Sequence, residues 1–271
     1  MTITMQPETP QGQHIIGLDS EHLNGGTVPW HKHLYGQLLY PVEGEVRVWA
    51  DASVWMVHAS SALWLPPQMP HKFVASGKVL LKTVLVSEAQ SEPIGAACFM
   101  TGISSLLREL LIAINQLARR KGANVPEQQL RFTALETLIL QEIPSAGKLP
   151  LQLPWPNDER LQSLCHDLLR HQGYLPTLDN LADKLSVSNR TLMRLFVKET
   201  GLTFRSWIQQ MHVVSAVPML EEGLSVTHIA HRLGYACAES FGNMFKRKTG
   251  HSPGRFICDN VTEIHVSNDV D

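Results

Sequence analysis

Two histidines one residue apart, His31 and His33 in WHKHLYGQ, and a third, His71 in LPPQMPHKF, are the residues of this chain best suited to hold a metal ion. Three imidazoles and a water make a tetrahedral zinc site. If WHKHLYGQ is a strand, its two-residue repeat sends His31, His33, Tyr35 and Gln37 to one face, with His71 arriving from a neighbouring strand. Gln37 stands where a carboxylate ligand would be useful, and a neutral amide is a poorer ligand for a transition metal. The same five residues can instead line a small-molecule cavity as a polar cluster among apolar walls, the usual form of a ligand site. The preferred reading is an effector pocket without a catalytic metal. A metal held by His31, His33 and His71 stays open as the alternative. Trp30, Trp49, Trp55 and Trp64 either wall that pocket or belong to the core.

A different chemistry is written nearer the end of the chain. In TLDNLADKLSVSNRTLMRLFVKETG a short helix capped by Thr177 turns Leu178, Leu181 and Ala182 inward, and a second helix restarts at Ser188. Leu192, Leu195 and Phe196 form the buried face of the second helix, leaving Asn189, Arg190, Met193, Arg194 and Val197 outward, with Arg190 and Arg194 one turn apart. About 48 residues later SVTHIAHRLGYACAESFGNMFKRKTGHSP repeats the pattern. There Phe241, Met244 and Phe245 face inward, Ala238, Glu239, Gly242 and Asn243 outward, and Lys246, Arg247 and Lys248 follow. Helices of this kind enter the major groove of DNA, where arginine pairs with guanine and asparagine with adenine. Thr191 and Lys198 on the first reading helix join the expected DNA-binding set, and the trailing basic residues of the second suit the backbone phosphates. A connecting helix from about Thr203 to Glu221 spans roughly 28 Å at ~1.5 Å per residue, close to the ~34 Å turn of B-DNA. Two reading helices held so would meet successive major grooves on one side of a duplex.

The surrounding chain supplies the elements that position these groups. At 271 residues and 44% hydrophobic content it is long enough for two domains with buried cores. No apolar run is long enough for a membrane helix, and the polar start MTITMQPETPQGQ has no signal-peptide pattern, so a cytoplasmic protein without membrane partners is expected. Cys98, Cys165, Cys237 and Cys258 form no C-x-x-C pair and are expected as small buried hydrophobes. The net charge of −2 hides a mild basic excess, 12 Lys+Arg against 9 Asp+Glu, in residues 156–258, and an acidic tail after it. From Gln13 to about Val86, short apolar or alternating runs separated by Gly, Pro and Ser predict many strands in a sandwich or small barrel. Ile103, Leu107, Leu110, Ile114 and Leu117 then recur at helical spacing, and a second helix is predicted from about Glu127 to Ile143. This seam wants a partner, which is either the barrel, the neighbouring helix or another subunit. PSAGKLPLQLPWPN reads as an extended linker.

Residues 158–257 resemble the DNA-binding domain of the AraC/XylS family of bacterial transcription regulators. The likeness is carried by LA at 181–182, VSNRTLMRLFVKETG at 187–201, IAHRLGY at 229–235, SFGNMFKRKTG at 240–250 and SPGRF at 252–256. On that resemblance, Arg190, Arg194, Ala238, Glu239 and Asn243 fall on positions that commonly read bases. The opening stretch resembles the cupin-type effector domain many members carry first, whose metal pattern of two histidines, a glutamate and a later histidine maps onto His31, His33, Gln37 and His71. Two departures stand in the connecting helix: His212 replaces a usual arginine, and Pro218 should cost on the order of 3 kcal/mol or kink the helix by removing its bond to the Val214 carbonyl.

The resemblance thus implies a multidomain α and β chain. Its parts would be a cupin-like effector barrel over 1–90, a helical dimerisation segment over 91–147, a linker over 148–157, and an all-α DNA-binding domain over 158–257 with helix-turn-helix units at about 178–199 and 225–248. The expected protein is not an enzyme. It is a homodimeric, sequence-specific regulator of promoter DNA, controlled by a small-molecule effector and needing no cofactor, with RNA polymerase as a further partner if it activates. The rival reading is a cupin metalloenzyme or metal sensor fused to a DNA-binding domain; the missing carboxylate at Gln37 argues against the enzyme.

Overall fold

The computed structural model describes residues 3–4, 13–119, 126–171, 173 and 176–261. Most of the N-terminal arm and the acidic tail beyond residue 261 lie outside the described residues. The chain folds as two compact units, one built mainly of residues 1–51 and 55–149 and the other mainly of residues 150–259.

The first unit runs β1 (Ile3–Thr4), β2 (Ile15–His22), β3 (Thr27–Lys32), β4 (Gly36–Ala50), β5 (Ser53–Val57), β6 (Ser61–Leu65), β7 (His71–Val86), α1 (Glu88–Ser91), β8 (Phe99–Gly102), α2 (Ser105–Arg119), α3 (Pro126–Ser145) and β9 (Lys148–Leu149). Strands order as β1-β3-β7-β4-β6-β8-β9, with β2 also on β7. The long β7 is the hub of this barrel: its first half pairs with β3, placing His71 opposite His31, and its second half pairs with β2. β4 follows β7 along almost its whole length, with irregular register between Pro41 and Glu45.

The alternation of the strands divides their side chains between two faces. Leu38, Tyr40, Ala62, Trp64, Val84 and Val86 pack beneath the helices, in one cluster with Ile103, Leu107, Leu110, Ile114, Ile139 and Ile143. Their sequence neighbours Gln37, Leu39, Leu63, Leu65, Thr83 and Leu85, all buried, occupy the other, inner face. The helical seam at Ile103 to Ile114 therefore has its partner within the chain: the barrel covers it. What the helices leave outward is smaller, chiefly Leu106 (49% exposed), Leu130 (72%) and Leu138 (41%). The Glu136 carboxylate on α3 accepts the N–H groups of His14 at 2.7 Å and Ile15 at 3.0 Å, fixing the start of β2 to the helix layer.

The second unit holds β10 (Gln152–Pro154), α4 (Glu159–Arg170), α5 (Leu178–Lys184), α6 (Asn189–Thr200), α7 (Phe204–Glu221), α8 (Val226–Arg232), α9 (Ala238–Thr249) and α10 (Pro253–Val261). Thr177, Ser188, Thr203 and Ser225 each cap a helix by accepting a backbone N–H in its first turn. α7 continues through Pro218 to Glu221, so the proline does not end it. The stretch expected as a linker is divided: Pro144 and Ser145 end α3, Lys148 and Leu149 form β9 beside β8, and only the part after them is extended along α7, where the Gln210 amide donates to the carbonyls of Pro150 and Gln152, and the Trp207 indole N–H to that of Pro154 at 2.7 Å. The cysteines divide. Cys98 and Cys165 are buried as expected, whereas Cys237 and Cys258 are exposed, because Cys237 stands just before the first turn of α9 and Cys258 lies on the outer side of α10. Among the described residues no helix is long and apolar enough to cross a membrane.

Candidate effector pocket and nucleic-acid interface

WHKHLYGQ is not one strand. β3 ends at Lys32 and β4 begins at Gly36, and the chain turns through His33, Leu34 and Tyr35. His33 nevertheless reaches the cluster from this turn. Its ring Nδ1 donates to the Tyr35 carbonyl at 2.7 Å, and its own carbonyl accepts the N–H of Gln68 at 2.8 Å, a residue in the left-handed region (φ 62°) before β7. Tyr35, expected on the shared face, contributes this backbone acceptor instead, since parity fails where the strand ends. No side chain fits at Gly36, where an added Cβ would lie 2.3 Å from the Trp64 ring; that close approach sets the entry of β4 and so the position of Gln37.

His31, His33 and His71 are buried together, with one nitrogen from each within 4.8 Å of the others. Ring centres are 4.1 Å apart for His31 and His71 and 5.2 Å for His33 and His71. Each Nδ1 is held by a carbonyl two residues away: Pro29 at 2.9 Å for His31, Tyr35 for His33, Met69 at 2.9 Å for His71. A carbonyl only accepts, so each Nδ1 carries a proton, and a neutral ring keeps its lone pair on Nε2. Burial, with help from the neighbouring imidazoles and against the carbonyl bonds, pushes the pKa of His31 down and that of His71 to about 3. Both rings are therefore neutral at ordinary pH.

These residues fit a cation. Metal-bound histidines characteristically donate their other N–H to a fixed acceptor, as all three do here. The Nε2 of His71, on a side chain only 1% exposed, has no hydrogen-bond partner among the described residues. Nε2 of His33 lies 3.0 Å from Oε1 of Gln37, also buried. Two acceptors do not bond each other, so either the amide turns its NH2 to the ring or a cation is shared between them. Ligand atoms around a tetrahedral ion with ~2.0–2.1 Å bonds lie ~3.4 Å apart, so modest side-chain rotation brings the three nitrogens into range.

The tryptophans do not line this cluster. Trp30 and Trp49 sit next in sequence to His31 and to Ala50, the partner of His71, so they point to the opposite face. There both rings flank the Lys72 ammonium, Trp49 at 4.7 Å. Trp64 lies under the helices and donates to the Gly95 carbonyl, and Trp55 is buried with its N–H towards Ala50.

In the second unit, α5 and α6 form one helix-turn-helix and α8 and α9 another. The turns match: Ser186 (φ 54°) and Gly234 (φ 80°) hold the same left-handed position, and Gly201 and Gly250 end the two reading helices in left-handed caps. Phe196 stacks edge-on with Phe204 and Trp207, and Phe241 and Phe245 pack with Tyr235 and Phe256. Arg190, Met193, Arg194, Val197 and Lys198 are exposed on α6, and Glu239, Asn243, Lys246 and Arg247 on α9, whereas Ala238 and Gly242 are half-buried.

Three sequence-picked residues are engaged within the unit. Asn189 donates to the Asp179 carboxylate on α5, which braces the two helices of the first turn. The Thr191 hydroxyl meets the capping Ser188 hydroxyl at 2.9 Å. Lys248 donates to Ser206 at the start of α7, at 2.7 Å to its hydroxyl, and so joins the last turn of α9 to the connecting helix. Sequence reasoning missed Asp179 and Ser206 as partners, because helical periodicity reports faces but not which faces meet. His212, in the arginine's place, is buried with its Nδ1 3.0 Å from the Tyr235 hydroxyl, and burial pushes its pKa down to about 4.

Comparison with known proteins follows this division. A family model described as a helix-turn-helix domain matches residues 181–257, and one described as a cupin domain matches residues 21–87. The chain is 31% identical over 232 residues to the HTH-type transcriptional regulator NimR of Escherichia coli (strain K12), covering 86% of this chain and 83% of that protein. It is 30% identical over 152 residues to the HTH-type transcriptional activator RhaS of Escherichia coli (strain K12 / DH10B), covering 55% and 53%. A solved structure of ToxT from Vibrio cholerae overlaps 92% of this chain and 100% of that one, with a TM-score of 0.38 and 10% identity.

Proposed function

The chain belongs to the AraC/XylS family of transcription regulators, and from that premise we propose how its parts divide the work. Residues 158–257 bind double-stranded promoter DNA, with α6 and α9 in successive major grooves. Residues 1–90 answer to a small-molecule effector at His31, His33, Gln37 and His71, with Tyr35 setting the turn. Residues 91–147 make a homodimer through the exposed face of Leu106, Leu130 and Leu138, and residues 148–157 connect the two functions. The observation that carries this reading is the repeated helix-turn-helix frame, with Arg190 and Arg194 exposed one turn apart on the first reading helix and Asn243 on the second. Arg194 pairs with a guanine and Arg190 with a second base edge; Met193 and Val197 offer apolar contact to thymine methyls. Lys198, Lys246 and Arg247 meet phosphates, while Asn189 and Thr191 brace the start of α6 beside them. On α9, Glu239 accepts from a cytosine amine, Asn243 pairs with adenine, and Ala238 and Gly242 keep the helix slim enough for close approach. The connecting helix α7, 18 residues and so about 27 Å long at ~1.5 Å per residue, is of a length comparable with the ~34 Å duplex turn.

The protein is not an enzyme in this reading: its relatives are regulators, and the pocket offers an amide where a metalloenzyme would use a carboxylate. It works in the cytoplasm beside the chromosome. The activator named among its relatives favours activation, with RNA polymerase as the second partner. The test is fluorescence anisotropy of the full chain on fragments protected around its own gene. Arg194→Ala is expected to weaken specific binding by about 1–3 kcal/mol and to relax the preference at one base. Equal loss on specific and random duplexes would reduce Arg194 to a phosphate contact, and no preference for any fragment would overturn the regulator reading.

A further inference from the structure

We propose that the second unit carries a small-molecule site of its own, in the groove between α7 and the turn that joins α8 to α9. Its ligand is a compact apolar molecule with a single carboxylate, and its occupancy opposes DNA binding. The groove encloses about 290 Å³, near the small end of the ~300–1,000 Å³ common for ligand clefts. Phe204, Ile208 and Leu233 give it apolar walls. Four polar side chains also line it, Arg205, Gln209, His212 and Tyr235, and none of the lining residues is acidic. Apolar walls with a few convergent polar groups are the usual composition of a site that holds and orients a small molecule.

The charge of the ligand follows from Arg205. It is exposed on the first turn of α7 and makes no ion pair among the described residues. A second guanidinium acts on the same place: burial pushes the Tyr235 pKa up to about 12, and the charges of Arg247 and Arg205 both oppose that rise. A guanidinium pairs with a carboxylate through two parallel hydrogen bonds. His212 is the most buried of the four polar residues, 3% exposed, with its Nδ1 3.0 Å from the Tyr235 hydroxyl and its Nε2 without a hydrogen-bond partner among the described residues. Burial pushes its pKa down to about 4, so the ring is neutral at ordinary pH. When the Tyr235 hydroxyl donates to Nδ1, the proton sits on Nε2, and a carboxylate oxygen or a water carried with it is the acceptor that buried N–H lacks.

The groove reaches the second reading helix through Tyr235, whose ring packs edge-on against Phe241 of α9 at 5.5 Å between centres. Arg247, whose charge acts on the Tyr235 hydroxyl, is exposed on α9 and is one of the side chains assigned to phosphate. An anion held beside these two arginines lowers the positive field that attracts the duplex. Ligand and DNA then disfavour each other by the same factor in both directions. This step rests on the DNA-binding reading; the groove and its ligand do not.

The test uses the full chain, with hydrocinnamate as the probe and the uncharged hydrocinnamyl alcohol as its comparator, both titrated by ligand-detected NMR. The acid is expected to bind at least about tenfold more tightly than the alcohol. Arg205→Ala should erase that margin and leave the alcohol's affinity unchanged, and Gln209→Trp should fill the groove from its rim and exclude both. In fluorescence anisotropy, saturating acid should raise the DNA Kd of the wild-type chain at least about fivefold and leave that of Arg205→Ala unaltered. The comparison of acid with alcohol needs no variant, so it stands even if Gln209→Trp fails to fold. Equal affinity for the two probes, no binding of either, undiminished binding to folded Gln209→Trp, or a margin that survives Arg205→Ala overturns the site. An unchanged DNA Kd in saturating acid overturns its opposition to DNA. Any of these with sequence-specific DNA binding intact leaves the regulator reading in place, whereas absence of specific DNA binding overturns that reading and not the groove.

Discussion

The two helix-turn-helix units share a frame and differ in nearly everything they show to solvent. Inside, the matches are close: Leu181-Ala182 and Ile229-Ala230 are buried, Phe196 and Phe241 fill the same role, and both turns place one residue in the left-handed region. Outside, α6 presents Arg190 and Arg194 in its first two turns, whereas α9 opens with Ala238 and Glu239 and gathers its cations, Lys246 and Arg247, at its end. The braces differ as well. The first unit is tied by Asn189 to Asp179, the second by Lys248 to Ser206 and by His212 to Tyr235. Folding requires only the inward positions and the turn, so the outward positions are free to differ, and the proposed division gives α6 base reading through arginine and α9 a hold on the DNA backbone at its far end.

The largest expected effect tests the shared frame. Phe196→Ala and Phe241→Ala should each destabilise the second compact unit by about 3–5 kcal/mol in urea denaturation, because each empties a fully buried ring site. A marked difference between the two would break the equivalence of the units. Next comes a property of the second unit alone. His212 has a folded pKa of about 4 against an ordinary 6.5, so between these values the unfolded chain binds more protons than the folded one. Its contribution is fully present above pH 6.5 and is lost as the pH falls towards 4, an effect on the order of 3 kcal/mol. His212→Gln should flatten that part of the stability-against-pH curve. An unaltered slope would place the acid sensitivity elsewhere. A smaller effect separates reading from anchoring: Lys246→Ala should weaken binding to all duplexes alike and lower the salt slope by about one. Base-selective loss would instead make α9 a reader along its whole length. The smallest expected change is Ser188→Ala, which removes the cap at 3.2 Å to Thr191 N–H and should cost about 1 kcal/mol of stability.

The DNA-binding half was legible in the sequence because helical spacing of apolar residues, capping hydroxyls and terminal glycines all report local geometry. Thr177, Ser188 and Gly201 announce helix boundaries within a residue, and Leu192 and Phe196 announce a face. The barrel was legible in outline, and its histidine cluster was found, but for a partly wrong reason. Alternation put His31, His33, Tyr35 and Gln37 on one strand; in fact His33 reaches the pocket from a turn, steered by the Tyr35 carbonyl and the Gln68 N–H, which no periodicity reports. The seam of Ile103, Leu107, Leu110 and Ile114 showed that a partner was required without showing which. An amphipathic stripe has the same width whether it covers the chain's own sheet or another subunit, and here the sheet takes it. Tryptophan content alone is compatible with pocket walls or with core; Trp55 and Trp64 are core, and strand parity sends Trp30 and Trp49 to the Lys72 side.

The division of labour between the two reading helices is tested most directly by selecting bound sequences from randomised duplexes with the full chain and with Arg194→Ala. The expected wild-type result is two short preferred blocks about one helical turn, ~10–10.5 base pairs, apart. Arg194→Ala is then expected to erase preference within one block and leave the other intact. A single block, or a uniform loss of preference across both, would contradict it.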